Sequence, residues 1–164
     1  MLTLASRLRS IWPLLALLVS GALLGGAHAF ETFGGLQPCA LCFAQRKWHW
    51  GVVGVSALLF VLTRFKPGWS RSAAAIIGLV LLGAAGMAAY HVAVEQHWVL
   101  AQCEANVDLS DITTMDFNGP VSAPACDKIA WSMFGVSMAG YNGLISLFMA
   151  LASFAIAFLP ERKP

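Results

Sequence analysis

The stretch SAAAIIGLVLLGAAGMAAYHVAV, residues 72–94, carries no Lys, Arg, Asp or Glu. A helix needs roughly 17–25 mostly apolar residues to cross a bilayer, and this stretch supplies them without interruption. Three further charge-free runs lie at residues 10–30, 48–63 and 129–160. The composition agrees: 59% of the 164 residues are hydrophobic and 11% are charged, against roughly 25% charged in a soluble domain. Mean hydropathy is +0.73. The runs predict an all-α membrane protein, a four-helix transmembrane bundle in a single domain over residues 1–164. Its spans are expected at about 11–30, 42–63, 73–93 and 142–159. The second run is the shortest, so its helix starts before the charge-free stretch, near Leu41, and carries Arg46 and Lys47 into the interface by snorkelling. The last run exceeds one span, which leaves residues 129–141 as a lead-in.

The basic residues orient the bundle. Arg7 and Arg9 precede the first span, Arg64, Lys66 and Arg71 lie between the second and third, and Arg162 and Lys163 follow the fourth. The positive-inside rule makes their side cytoplasmic. Both termini are then inside, and the outer side carries Arg46, Lys47 and Lys128 with most of the acidic residues. Trp12 and Trp69 fall near the inner boundary and Trp48, Trp50 and Trp98 near the outer one, as in an aromatic belt. The net charge of +2 gives no support to nucleic-acid binding, because topology accounts for the basic residues. A competing reading takes Arg7, Arg9, the apolar stretch Ile11 to Leu24 and Ala27-His28-Ala29 as a cleaved secretory signal. The apolar stretch is long enough to span, so we expect the first helix to be retained.

All four cysteines fall outside. Cys39 and Cys42 sit in the outer loop at about 31–41, and Cys103 and Cys126 in the long outer segment at about 94–141. Asn118-Gly119-Pro120 and Pro124 mark that segment as turn and loop, with a short amphipathic hint from Leu109 to Phe117. An oxidising compartment allows two static disulfides. The Cys39-x-x-Cys42 ring is small, however, and a small ring stabilises little by loop entropy, so the spacing suits reversible exchange better. A zinc site is disfavoured, since structural sites usually pair two short Cys-x-x-Cys units and nothing here fixes His91 or His97 as ligands. A thiolate in the first turn of a helix is stabilised by unpaired amides and the macrodipole, and Arg46, at i+4 from Cys42, adds a fixed positive charge. Thiol-disulfide exchange could then pass electrons from a soluble dithiol to the loop pair and on to the membrane pair.

Pro38-Cys39-Ala40-Leu41-Cys42 followed by Gln45-Arg46 closely resembles the signature of the bacterial disulfide bond formation protein B (DsbB) family. Four spans, two outer cysteine pairs, a histidine near the outer end of span three and a tryptophan soon after the last cysteine extend the resemblance over nearly the whole chain. It implies an inner-membrane enzyme, a disulfide-generating protein-dithiol:quinone oxidoreductase that reoxidises the periplasmic oxidase DsbA and reduces ubiquinone or menaquinone, with no metal. Such a relay is what keeps a bacterial periplasm oxidising. By carry-over, Cys103 forms the mixed disulfide with DsbA, Cys126 resolves it and exchanges with Cys39, and Cys42 is freed as the thiolate that meets the quinone. Arg46 matches the family's quinone-site arginine, and His91 occupies its histidine position, where it could hydrogen-bond a quinone oxygen. A guanidinium suits the anionic charge that develops on a reduced quinone. Trp131 reads as an aromatic anchor, and His28, His49 and His97 are assigned no role. Where many members have Pro-Xaa-Trp entering the last span, this chain has Ala139-Gly140-Tyr141.

Two alternatives compete. A quinone reductase of the vitamin K epoxide reductase type normally carries its quinone-facing pair near the last span, whereas here it precedes span two. A non-catalytic membrane subunit or channel stapled by two structural disulfides is the other, and the spans hold no deep charges to line a transport path.

Overall fold

Four helices long and apolar enough to cross a membrane form the body of the computed structural model, which describes residues 4–100 and 126–160. They are α1 (Leu4–Thr32), α2 (Ala40–Phe65), α3 (Ser70–Glu95) and α4 (Met138–Phe158). Cys103, the Leu109 to Phe117 segment and the turn at Asn118-Gly119-Pro120 lie outside the described residues. A 3-10 turn, Pro67–Trp69, opens on a proline with its φ preset and folds α3 back against α2. Before α4 a small antiparallel hairpin pairs β1 (Ser132–Met133) with β2 (Val136–Ser137). Phe134 and Gly135 turn it at φ 51° and 79°, the pair of positive values that a two-residue hairpin of this hand requires.

Helix ends follow local chemistry. Ser137 caps α4 by accepting the Gly140 N–H at 3.1 Å, so the helix begins at Met138, before the expected membrane entry at Asn142. Cys39 caps α2, whose first helical residue is Ala40. Helix α3 ends with His97 in the left-handed region at φ 57°. The Trp98 N–H reaches Ala93 O and the His97 N–H reaches Val94 O, each at 2.9 Å, which is a Schellman motif.

Small residues bring α3 close to its neighbours. Its buried face runs through Ala73, Ala74, Ile77, Gly78, Leu81, Ala84 and Ala88, and its most extensive packing is against α4. Without a large hydrophobic force between helices in lipid, such a face gains its energy from close packing. At Gly78 a Cβ would stand 3.1 Å from Ser153 Cβ and from the Phe154 ring. Polar stitches add direction: the Trp12 indole N–H donates to Ser153 Oγ at 2.9 Å, and Ser153 Oγ donates to Met149 O at 2.7 Å.

The C-terminal carbonyls of α4 would be unpaired by geometry alone. Two arginines satisfy them from other helices. Arg9, itself buried, donates through Nε to Ile156 O at 3.1 Å and through Nη2 to Leu159 O, and Arg71 Nε donates to Ala157 O at 2.8 Å. Basic residues that mark topology in the sequence thus also close one end of the bundle. The opposite end gathers the start of α2, the last turns of α1 and α3, and the start of α4.

Candidate active site

At that end, Cys39 has extended backbone angles (φ −79°, ψ 171°) and caps α2 with its sulfur. The Cys42 N–H donates to Cys39 Sγ at 3.2 Å, satisfying an amide that the first turn leaves without an intrahelical acceptor. Both cysteines are free thiols, and their sulfurs lie 2.8 Å apart. The hydrogen bond from the Cys42 thiol, with further help from the Cys42 amide and from His91, outweighs burial and lowers the Cys39 thiol from its ordinary 9.0 to about 4. In the dithiol form, the stabilisation expected of a first-turn thiolate therefore falls on Cys39. Besides the facing Cys42 thiol, the helix start contributes: it lies ahead of Leu41, so Cys39 takes the capping position.

His91, near the end of α3 and 4% exposed, points Nε2 at Cys39 Sγ from 3.7 Å. Glu95, one turn further along, has Oε1 3.9 Å from the same nitrogen, and the Ser137 hydroxyl donates to Glu95 Oε2 at 2.5 Å. The other ring nitrogen, Nδ1, lies 2.5 Å from Gln45 Nε2. Gln45 Oε1 accepts from Asn142 Nδ2 at 2.5 Å, and Asn142 Oδ1 lies 2.6 Å from His49 Nε2.

Arg46 faces α1. Its Nη1 forms a 2.5 Å ion pair with Glu31 Oε2, Nη2 donates to Ala27 O at 3.2 Å, and the guanidinium carbon stands 5.5 Å from the Phe43 ring centroid. The positive charge that the sequence adds beside Cys42 is thus balanced by Glu31, the last acidic residue before α1 ends. Cys39, Cys42, Arg46 and His91 all line one cavity of about 340 Å³ between the helix ends. Its remaining wall is largely apolar and includes Trp131, whose ring centroid is 5.2 Å from Phe30 and 6.1 Å from Tyr141. The sequence reads Trp131 as an anchor. In the structure it joins a run of three aromatic rings at the cavity.

Cys126 packs with Cys39 and Val94 in one buried cluster that Cys42 and Leu41 flank, and it is disulfide-bonded. Three of the four cysteines thus meet at one place, while Cys103 lies outside the described residues. Cys39, Cys42 and His91 also offer atoms within 4.8 Å of one another, as a metal site would. Two thiolates on one tetrahedral zinc stand about 3.8 Å apart, as follows from Zn–S bonds of about 2.3 Å. The two sulfurs here stand closer than that, at 2.8 Å.

Gln45, His49, Asn142, Glu31 and Glu95 complete the site, and none of them has a role assigned from the sequence. One signal was available for two of them. Gln45 and His49 head the buried stripe of α2 that continues through Val52, Ser56, Leu59 and Thr63, so a polar pair at i, i+4 begins an inward face. The partners on α1, α3 and α4 carry no such mark, because pairing across helices depends on their rotation.

Comparison with known proteins matches residues 9–156 to the family described as Disulfide bond formation protein DsbB. Among curated relatives, Disulfide bond formation protein B 2 of Pseudomonas entomophila is 32% identical, over 88% of this chain and 86% of its own. Disulfide bond formation protein B of Aromatoleum aromaticum is 29% identical over 88% and 89%, and that of Idiomarina loihiensis 32% identical over 82% and 76%. No solved structure matches the chain.

Proposed function

The chain belongs to the DsbB family of disulfide bond formation proteins, and from this we propose that it is a thiol to quinone oxidoreductase serving a periplasmic DsbA-type oxidase. It is a multi-pass protein of the bacterial inner membrane that acts in disulfide-bond formation. The observation that carries the finer reading is the meeting of a free Cys39–Cys42 thiol pair, a third buried cysteine and a cavity with an arginine in its wall.

In this reading Cys103 and Cys126 act as the loop pair and receive two electrons from the dithiol of the soluble oxidase. The incoming thiolate attacks Cys103 to form a mixed disulfide, from which the oxidase's second thiol later displaces Cys103 to leave the oxidase oxidised, and the attack on Cys103 expels the Cys126 sulfur as a thiolate. That thiolate attacks Cys39 of the oxidised membrane pair, forming a Cys39–Cys126 bond and releasing Cys42. The packing of Cys126 beside Cys39 makes the exchange a short one. Once Cys39 is bonded elsewhere, its sulfur no longer competes for charge, and Cys42 carries the thiolate toward the cavity. A reduced Cys39 is stabilised as a thiolate by the hydrogen bond from the Cys42 thiol, with help from His91 and the helix cap, which favours electron flow onto the membrane pair, as stabilisation of a reduced dithiol does in general.

The cavity fits a quinone head. Its volume is in the usual range for a small-ligand site, and its wall exposes mostly apolar surface with Arg46 and His91 among its polar groups. Arg46 and His91 would hold the oxygens, and the aromatic run through Trp131 would flank the ring. When bound, a quinone supplies a two-electron, two-proton acceptor within the membrane. Arg46 stays charged throughout and, fixed by Glu31 and Ala27 O, is already oriented when negative charge develops beside it. Ubiquinone and menaquinone both suit this donor set.

The test mixes the purified full-length protein with a reduced DsbA-type partner and ubiquinone and follows quinone absorbance. Quinone loss is expected, and its absence with a folded protein would sink the reading and leave a stapled, non-catalytic membrane subunit. Cys42→Ser and Cys103→Ser should each abolish turnover, the first while retaining exchange with the partner and the second without it. Arg46→Met should raise the quinone KM about tenfold, the equivalent of about 1.4 kcal/mol lost from a charge-assisted contact.

A further inference from the structure

His91 is reached by a chain of polar side chains from two other helices. Asn142 Oδ1 receives the His49 ring N–H and, at 3.2 Å, the Ser146 hydroxyl. The Asn142 amide then donates to Gln45 Oε1, and the Gln45 amide donates to His91 Nδ1. Each amide has one accepting and one donating end, so polarity set at His49 is passed along unchanged. A His91 Nδ1 that accepts a hydrogen bond carries no proton. The neutral ring therefore keeps its proton on Nε2, which lies 3.7 Å from Cys39 Sγ.

The far end explains why the chain does not run backwards. His49 Nδ1 is buried and has no hydrogen-bond partner among the described residues. With Nε2 donating to Asn142, that orphan atom is a bare acceptor. If both amides turned over, His49 Nε2 would have to accept, its proton would move to Nδ1, and a buried N–H would be left unpaired, the costlier of the two defects.

We propose that His49, Asn142 and Gln45 are positioning residues that hold His91 as the neutral Nε2–H tautomer and aim its proton at the sulfur of Cys39. The inference rests on the thiol-exchange reading of Cys39. A neutral N–H favours the thiolate by hydrogen bonding and places no second full charge in the edge of the membrane. The titratable and charged groups around the ring are Glu95 on its own helix, His49 on α2, and Cys39 and Cys42 at the start of α2. The Arg46–Glu31 pair and Lys128 lie further along the cavity wall. α4 contributes Asn142 and Tyr141 to the cavity wall, and Ser137 at the end of β2 donates to Glu95.

The test uses the full-length, reduced protein in detergent micelles with 15N-labelled histidine. Long-range 1H–15N correlation spectra distinguish the two neutral tautomers and the imidazolium, and the His91→Gln variant identifies the signals of His91. At about pH 8, where a free histidine is neutral, His91 should show a protonated Nε2 and a bare Nδ1. Asn142→Leu should mix the two neutral tautomers, and the loss of the aimed Nε2 proton should slow alkylation of Cys39 at acid pH by about fivefold or more. Gln45→Leu reads the same signals by a second route. A wild-type His91 protonated on Nδ1 or on both nitrogens overturns the proposal, whether or not any variant folds. So does a folded Asn142→Leu protein that loses activity with the His91 spectrum unchanged, because the role would then be packing. Failure of the quinone assay leaves the nitrogen spectrum untouched, so the two readings fail separately.

Discussion

A single sulfur shows how much one position decides. Cys39 sits at the helix cap, with the Cys42 thiol and amide on one side and His91 on the other, and its thiol is lowered to about 4. A group whose value falls on folding contributes stability above its ordinary value, and that contribution is lost as pH drops toward the folded one. The reduced protein should therefore gain stability from Cys39 above about pH 9 and lose it progressively between about 9 and 4. Alkylation of Cys39, followed by mass spectrometry on the reduced protein, should keep its half-point near pH 4. Cys42→Ala should raise the half-point more than His91→Leu does, since the thiol hydrogen bond from Cys42 is the largest cause. An opposite ranking would show that His91, not the neighbouring thiol, governs the sulfur. The motif made both cysteines and Arg46 legible in the sequence. The division between Cys39 and Cys42 in the dithiol form was not, because it turns on how the two sulfurs meet and on which residue caps the helix, both settled by a few backbone angles.

Each helix end carries a local argument that a mutation can test. Ser137 both caps α4 and donates to buried Glu95, so Ser137→Ala should cost about 1–2 kcal/mol in reversible unfolding from mixed micelles. His97 closes α3 in the left-handed region, where glycine fits without strain. His97→Gly should accordingly stabilise the protein by up to about 1 kcal/mol in the same experiment. Loss of stability would instead mean that the His97 side chain has a role of its own. Neither effect could be read from the sequence alone. A serine and a histidine in a polar loop look alike until the hairpin at Ser132 to Ser137 and the last turn of α3 fix their backbones.

The bundle as a whole depends on how closely α3 approaches α4. Gly78 lies where a Cβ would press on Ser153 Cβ and the Phe154 ring, whereas Gly86 opens on free space. Gly78→Leu should destabilise the protein by about 1–3 kcal/mol, and Gly86→Leu should be tolerated, as unfolding in mixed micelles would show. Equal effects would mean that the two helices are not held at this distance. The sequence by itself determined the class of fold, the number of spans and the cysteine–arginine motif. Hydropathy over a span and a short local pattern are properties of consecutive residues, and the bilayer reads them without knowing which helix lies beside which. Only the tertiary structure decided that Glu31 neutralises Arg46, that Arg9 and Arg71 close α4, that Cys126 packs beside Cys39 and that Gln45, Asn142 and His49 stand in line with His91. Those pairings join residues far apart in the chain, and each exists only once the helices have taken their mutual rotation and depth.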